Sequence, residues 1–455
     1  MLVQSLSGVR GIFGKSLTPD VASKYAAAYF SVFKPKTVVI GMDTRNSGPA
    51  IKTVMVNALS CKIIDVGIFP TPAIQNAVRH FKADGGIIIT ASHNPPEWNG
   101  FKFLRKDGSV LYEQEMAKVI IQYQKTASKT VGKPTKTTTI QKRAEAIEAY
   151  KGFLFSIIGK NALGKIKKLK IKIIADPNGG AGIIAPDILE AAGISVEALH
   201  MEPGDFSRQI EPTEDSLAYL VPKIKQHKAA FAAGFDCDAD RVEIVLPNGK
   251  MLSGNEMIAL TAQHILKHSK NAGKETVVVN NATSSQVRDV VQKHKAKLIE
   301  VEVGEANVIQ SMKRLKSKVG GEGSSSGVIL SPATSRDGTL AVLLMATFVA
   351  AERKSLGKLL GALPAYHYLK EKVAVEPSKM PILKKTIENY YKKKAMKLQS
   401  NQNGAIKAWM TKDSFVWFRD SKTENGIMRV IVDAPSKKEA TFLMQEAFAF
   451  VKSMQ

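Results

Sequence analysis

Residues 90–102 read Thr-Ala-Ser-His-Asn-Pro-Pro-Glu-Trp-Asn-Gly-Phe-Lys, directly after the apolar run Gly85-Gly86-Ile87-Ile88-Ile89. Such a run predicts a buried strand. It ends at a hydroxyl (Ser92), an imidazole (His93) and an amide (Asn94), and Lys102 follows two prolines and a glycine. Polar, Pro- and Gly-rich loops at strand ends are where α/β proteins place chemistry. Ser92 alone suits a helix cap or turn equally well. A second segment, Asp236-Cys237-Asp238-Ala239-Asp240-Arg241, sets three carboxylates at alternating positions after the apolar Phe231–Phe235. Left bare, they would repel one another strongly. A hard divalent cation offsets that repulsion, and carboxylate oxygens suit Mg²⁺. The glycine and distal glutamate of an EF-hand are missing at the right offsets, so the pattern is not an EF-hand. The plain alternative is an acidic turn capping a helix. Arg241 is placed to reach an anion beside the metal.

Three further segments carry weaker signals. Gly320-Gly321-Glu322-Gly323-Ser324-Ser325-Ser326-Gly327 reads as a flexible loop whose carboxylate and hydroxyls suit sugar hydroxyls, or as a linker. Arg419-Asp420-Ser421-Lys422-Thr423-Glu424-Asn425-Gly426, with Arg429, reads as a phosphate site or an exposed hairpin turn. Ser7-Gly8-Val9-Arg10-Gly11 sets Arg10 between glycines, available to a phosphate.

The elements that must hold these groups share one layout: an apolar run, a polar turn, then a helical pattern. Thr37–Ile40 enters Gly41-Met42-Asp43-Thr44-Arg45-Asn46-Ser47-Gly48, Gly86–Ile89 enters the Ser92 loop, and Leu169–Ala175 enters Asp176–Gly182. Phe231–Phe235 enters the aspartates, and Thr276–Val279 enters Asn280–Ser285. Alternation of this kind predicts α/β domains with largely parallel pairing and ligands at the carboxyl ends of the strands. The polar stretch Thr126–Arg143 reads as a linker, followed by a helix over Ala144–Ile158. With a turn at Leu246–Lys250 and a close at Lys354–Pro364, the expected domains are 1–140, 141–248, 249–364 and 365–455. The last is a small α+β domain with a helix-rich start and strand-like runs at Ser414–Phe418 and Ile427–Val432.

Several domains are expected of 455 residues, and 44% hydrophobic with 23% charged residues is ordinary for a globular protein. Cys61 and Cys237 give no disulfide framework, and no Cys/His cluster has zinc spacing. No signal-type segment and no apolar run long enough to cross a bilayer is present, so a cytoplasmic protein without a membrane partner is expected. The net charge of +24 comes from scattered lysines, and aromatics are 7%. That pattern favours solvated lysine faces and anionic substrates over a specific nucleic-acid partner.

Taken in order, the Ser92 loop, the Asp-x-Asp-x-Asp-Arg loop, Gly304-Glu305, Gly320-Gly321-Glu322, Arg336-Asp337-Gly338 and the Arg419 loop resemble the α-D-phosphohexomutase family over essentially the whole chain. The resemblance implies four domains around a central cleft, three similar α/β domains with mixed, largely parallel sheets and a smaller C-terminal α+β domain. It implies a phosphohexose mutase interconverting hexose 6-phosphate and hexose 1-phosphate through a phosphoserine and a hexose 1,6-bisphosphate. Ser92 would carry the phosphoryl group, and Mg²⁺ would sit on Asp236, Asp238, Asp240 and the Ser92 phosphate. Lys102, Arg10 and His93 would act at the transferred group beside Arg241. Gly304, Glu322 and Ser324 would bind the sugar, and Arg419, Ser421 and Thr423 the phosphate at rest. A phosphoglucosamine mutase, monomeric or homodimeric, is the expected form. The alternatives are a phosphomannomutase/phosphoglucomutase, or a sugar-phosphate-binding protein with weakened catalysis.

Overall fold

The β-branched and glycine-flanked runs become strands of four sheets in a computed structural model that describes residues 2–5, 8–126, 137–400, 404–421 and 426–454. The first sheet contains β1 (Val3–Ser5), β2 (Gly8–Ile12), β3 (Thr37–Met42), β4 (Lys62–Ile68), β5 (Gly85–Ile89), β6 (Trp98–Arg105) and β7 (Thr138–Gln141). Its order is β1-β2-β6-β5-β3-β4-β7. Strands β3, β4, β5 and β7 pair in parallel, whereas β6, β2 and β1 continue the sheet antiparallel. The central strands are buried on both faces, as continuous runs such as Val38-Val39-Ile40 require. The second sheet is β8 (Lys172–Asp176), β9 (Ser195–Ala198), β10 (Ala232–Phe235) and β11 (Val242–Val245), in the order β11-β10-β8-β9. The third is β12 (Thr276–Asn280), β13 (Lys297–Val301), β14 (Val319–Gly321) and β15 (Val328–Leu330), in the order β13-β12-β14-β15. The fourth is antiparallel throughout: β16 (His367–Ala374), β17 (Lys397–Ser400), β18 (Ile406–Trp409), β19 (Phe415–Asp420) and β20 (Ile427–Ala434), in the order β16-β20-β19-β18-β17.

The chain forms two compact units. One is Met1–Leu252 with Ile329–Leu356, and the other is Ser253–Val328 with Gly357–Gln455. The excursion of Ile329–Leu356 into the first unit has a physical cause. The helix Gly338–Glu352 reads Gly-Thr-Leu-Ala-Val-Leu-Leu-Met-Ala-Thr-Phe-Val-Ala-Ala-Glu, and every residue from Gly338 to Ala350 is buried. A helix apolar all round needs neighbours on every side. It finds them in the helices Arg143–Ile158 and Lys160–Leu169 and in β11.

Several expectations need correction. Both chemistry-bearing loops are hairpin connections, not strand-to-helix turns: the Ser92 loop joins β5 to antiparallel β6, and the aspartate loop joins β10 to antiparallel β11. Pro95-Pro96 cannot extend a helix, and Trp98–Arg105 forms a buried strand instead. The Thr44 loop and the Asn280 loop do lead into helices, Gly48–Asn57 and Ser285–Lys293. The expected linker contains β7, added parallel to β4. Leu169 ends a helix rather than starting a strand. Gly320 and Gly321 belong to β14, so the following loop starts at Glu322. The C-terminal segment opens with β16, not a helix, and its α-helices are Met380–Lys394 and Lys437–Ser453. Its edge strand β17, polar and largely exposed, escapes a hydrophobicity-based reading, as does the short β18, which carries a buried lysine, Lys407.

Candidate active site

In the first unit, β5 delivers Ser92 in a left-handed conformation, φ +53°. That region costs a non-glycine residue about 1–2 kcal/mol, so the surroundings must impose it. They do so at every group of the loop. The Ser92 amide donates to Thr90 Oγ1 at 2.8 Å. Its carbonyl accepts from Arg45 Nη2 at 2.8 Å. Its hydroxyl donates to Asp236 Oδ2 at 3.2 Å and lies 3.4 Å from His93 Nδ1. Neighbouring β2 carries Arg10, whose Nη1 donates to Asn94 Oδ1 at 3.0 Å and to the Ala91 carbonyl at 3.3 Å. β2 can lie this close because Gly8 has φ +116° and a Cβ there would fall 2.4 Å from the Phe101 carbonyl oxygen. Only glycine meets both conditions.

The carboxylates of Asp236, Asp238 and Asp240 are buried and converge, with one oxygen of each within 4.8 Å of the others. Asp238 Oδ2 accepts from Thr71 Oγ1 at 2.7 Å and from Lys102 Nζ at 2.9 Å, with Lys102 Nζ also 3.7 Å from Asp240 Oδ2. Arg336 Nη2 stands 3.8 Å from Asp240 Oδ2 and Arg241 Nε 3.8 Å from Asp240 Oδ1. Asp238 Oδ1 and Asp240 Oδ1 are buried without a hydrogen-bond partner. Orphaned carboxylate oxygens of this kind carry a desolvation penalty that a ligand must relieve. Three carboxylates with two orphaned oxygens fit a hard divalent cation, so the residues present can hold a metal ion.

The electrostatics follow from burial. Burial, then the charges of Asp238 and Asp240, push Asp236 well above the usual carboxyl range. Burial opposes ionisation of Asp238 too, but the Lys102 charge and the hydrogen bonds from Thr71 and Lys102 outweigh it, and Asp238 lies below that range. For Lys102 burial works against the ammonium, yet Asp238 and Asp240 hold it above the ordinary lysine value. Lys102 is therefore held as a cation against these carboxylates. Burial, aided by Arg241 and Arg10, drives His93 down to about 2. His93 is a neutral imidazole that can hydrogen-bond but adds no positive charge.

The second unit holds the other predicted residues. Glu322 Oε1 accepts from the Gly304 amide at 2.8 Å and from Asn280 Nδ2 at 3.2 Å. The same Asn280 amide donates to Ser324 Oγ at 3.3 Å. Gly304, at φ +138°, turns its amide into this contact with a backbone closed to most side chains. Arg419, at the end of β19, is 8% exposed. Burial lowers its pKa, and the carboxylates of Glu302, Asp420 and Glu322 work against that lowering. It stands directly opposite Arg429 of β20. The Ser421 amide donates to the Ile427 carbonyl at 2.8 Å. Thr423 lies outside the described residues.

The structure thus brings Ser92, His93, Lys102, Arg10, the three aspartates and Arg241 into one cluster, and joins Gly304, Glu322 and Ser324 in another. Sequence reasoning missed Arg45, Thr71, Asn94 and Asn280 as site residues. Arg45 and Asn280 had a signal, since both follow a predicted strand in a polar turn. Thr71 had none: it heads a helix and meets Asp238 through tertiary packing.

Residues 2–130 match the phosphoglucomutase/phosphomannomutase α/β/α domain I model, 151–249 match domain II and 253–366 match domain III. The phosphoglucomutase/phosphomannomutase of Thermococcus kodakarensis is 32% identical over 449 residues, covering 95% of this chain and 94% of that protein. A probable phosphoglucosamine mutase of Pyrococcus abyssi is 29% identical, with 98% and 97% covered. A Burkholderia thailandensis phosphoglucomutase/phosphomannomutase family structure has the same fold, with a TM-score of 0.82 over 100% of this chain and 98% of that one at 20% identity. The chain belongs to the phosphoglucomutase/phosphomannomutase family. Within the α-D-phosphohexomutases it is a phosphohexose mutase, an isomerase that moves a phosphoryl group within a sugar phosphate.

Proposed function

We propose that Ser92 is the phosphoryl carrier and that the preferred substrate is glucosamine phosphate. One observation carries the first part: the Ser92 hydroxyl, held at φ +53°, points to Asp236 at 3.2 Å in a cluster of orphaned carboxylate oxygens ringed by cations. In the resting enzyme Ser92 is phosphorylated. A sugar hydroxyl attacks the phosphorus and releases its proton to solvent, the P–Oγ bond breaks, and the Lys102 ammonium supplies the proton that Ser92 Oγ takes up and is itself reprotonated from solvent. The resulting hexose 1,6-bisphosphate reorients, and Ser92 Oγ attacks its other phosphate, returning a proton to the leaving sugar oxygen. Arg10 and Arg241 stabilise charge on the equatorial oxygens in flight, and His93 contributes a neutral hydrogen bond. Mg²⁺ on Asp236, Asp238 and Asp240 would supply Lewis-acid stabilisation of the same charge.

Gly304, Glu322 and Ser324 orient the sugar hydroxyls in this reading. Arg419 and Arg429 stand directly opposite each other on β19 and β20, so both guanidinium groups belong to one face of the sheet. With Ser421 and Thr423 they hold the phosphate at rest. Segments 1–140, 141–248, 249–364 and 365–455 then contribute one loop each: phosphoserine, metal, sugar and phosphate. The reaction takes place in the cytoplasm, and no described helix is long and apolar enough to cross a membrane. Glu302, just after β13, and Glu322 of the sugar loop both act electrostatically on Arg419, and carboxylates on this side suit the ammonium of a hexosamine. The alternative, a phosphomannomutase/phosphoglucomutase, is favoured by the name of the relative at 32% identity. A coupled assay with glucosamine-, mannose- and glucose-6-phosphate, each with its bisphosphate and Mg²⁺, separates them. Highest kcat/KM on glucosamine-6-phosphate is expected. A preference for mannose- or glucose-6-phosphate would assign the alternative.

A further inference from the structure

The turn after β3, Asp43-Thr44-Arg45, takes no part in the chemistry above, yet Arg45 is among the most deeply buried large side chains of the first unit. A fully buried guanidinium is rare unless it is paired and hydrogen-bonded. Here it is clamped on one side and aimed on the other. Its Nη1 pairs with Asp43 Oδ2, and the Arg45 amide donates to Asp43 Oδ1 at 3.0 Å. Its Nη2 donates to the Ser92 carbonyl at 2.8 Å and to the Asn94 carbonyl. The Asp43 amide in turn donates to the Ile89 carbonyl at 2.9 Å, which locks the Asp43 turn to the end of the strand that feeds the Ser92 loop. The guanidinium therefore grips the carbonyl of the strained residue, which bears on its ψ, and the carbonyl two residues on, which anchors the loop that follows. A planar fork with several donors can do this, whereas a lysine ammonium cannot span the same acceptors in one plane. The Arg45 charge also lies within electrostatic reach of Arg10 and Asp238.

We infer that Arg45, held by Asp43, is a positioning residue for phosphoryl transfer: it keeps Ser92 left-handed so that Oγ faces Asp236. The inference rests on the reading of Ser92 as the phosphoryl carrier. It does not make Arg45 a ligand of substrate or metal, so the expected signature is selective. In R45K a displacement of about 1 Å at the hydroxyl lowers kcat about 10²-fold, while KM for the hexose phosphate and the Mg²⁺ activation constant stay within about 3-fold. The rate of phosphoryl transfer from isolated phospho-enzyme to hexose phosphate in a single turnover falls with kcat. Activity is expressed per folded molecule, measured by near-ultraviolet circular dichroism and thermal unfolding. A kcat within 3-fold of wild type, or a kcat loss matched by an equal loss of folded protein, overturns the inference. If R45K does not fold, D43N replaces it: the guanidinium stays and only its clamp loosens. A kcat loss at unchanged KM then supports the inference, and an unchanged kcat overturns it. S92A is assayed beside them. Full activity in S92A refutes the phosphoserine reading itself, whereas an inactive S92A with a fully active R45K refutes only the role of Arg45.

Discussion

Ser92 bears two costs that an ordinary surface turn would not: a left-handed backbone and a hydroxyl facing a buried carboxylate cluster. Strain of that kind persists where the surroundings over-determine it, and it concentrates at functional sites. Replacing Ser92 by alanine removes the nucleophile with little change in volume. S92A is expected to fold with an unchanged melting temperature and to lose at least about 10³-fold in kcat, measured in the coupled mutase assay. Asp238 makes a second test. D238N keeps the contact with Thr71 but removes a charge, and Mg²⁺ affinity by calorimetry is expected to fall by about 10- to 100-fold. Unchanged affinity would show that the cation sits elsewhere. At this scale the sequence was legible wherever chemistry was written as a local pattern. Ser92, Lys102 and the three aspartates stand in short motifs, and their side chains do converge. Thr71 was not legible in that way, because what matters is the loop it meets across the fold, and that loop is distant in sequence.

The two central loops are hairpin connections, β5 to β6 and β10 to β11, each where its sheet changes from parallel to antiparallel pairing. A hairpin returns the chain at once, so residues on both its arms can serve one site: Ser92 from the turn and Lys102 from the returning strand. Apolar runs and turn residues revealed the strands but not their direction, since a run such as Gly85–Ile89 reads the same in either pairing. The helix Gly338–Glu352 shows a further limit. Its uniform burial gave no amphipathic face from which to infer its neighbours. Its cap carries a pH-dependent prediction. Asp337 accepts from the Leu340 amide and from the Tyr150 hydroxyl at 2.8 Å and 2.9 Å, and burial raises it to about 6. An unfolded aspartate titrates near 3.9. The folded state therefore favours the protonated acid, and this stabilisation is full below about pH 4 and is lost as pH rises through about 6. D337N keeps the acceptor oxygen and cannot ionise. Its melting temperature relative to wild type is expected to climb between pH 4 and 7. A difference that is flat with pH would contradict a perturbed Asp337.

At the scale of the whole molecule, the net charge of +24 comes from 65 lysines and arginines against 41 acids. A field of this sign favours dianionic sugar phosphates over any distance that salt does not screen. KM for hexose phosphate is expected to rise several-fold between 20 and 200 mM KCl at constant Mg²⁺ while kcat holds, in initial-rate measurements. The family was legible at this scale because its loops occur in order along the chain. The central claim is that one serine carries the phosphoryl group in transit. It is tested most directly by incubating the enzyme with hexose 1,6-bisphosphate and Mg²⁺, mapping phosphate by tandem mass spectrometry, and chasing with hexose 6-phosphate. Phosphate on Ser92 alone that moves to the sugar within one turnover is the predicted result. An unmodified Ser92, or a phosphate there that the chase leaves in place, would contradict it.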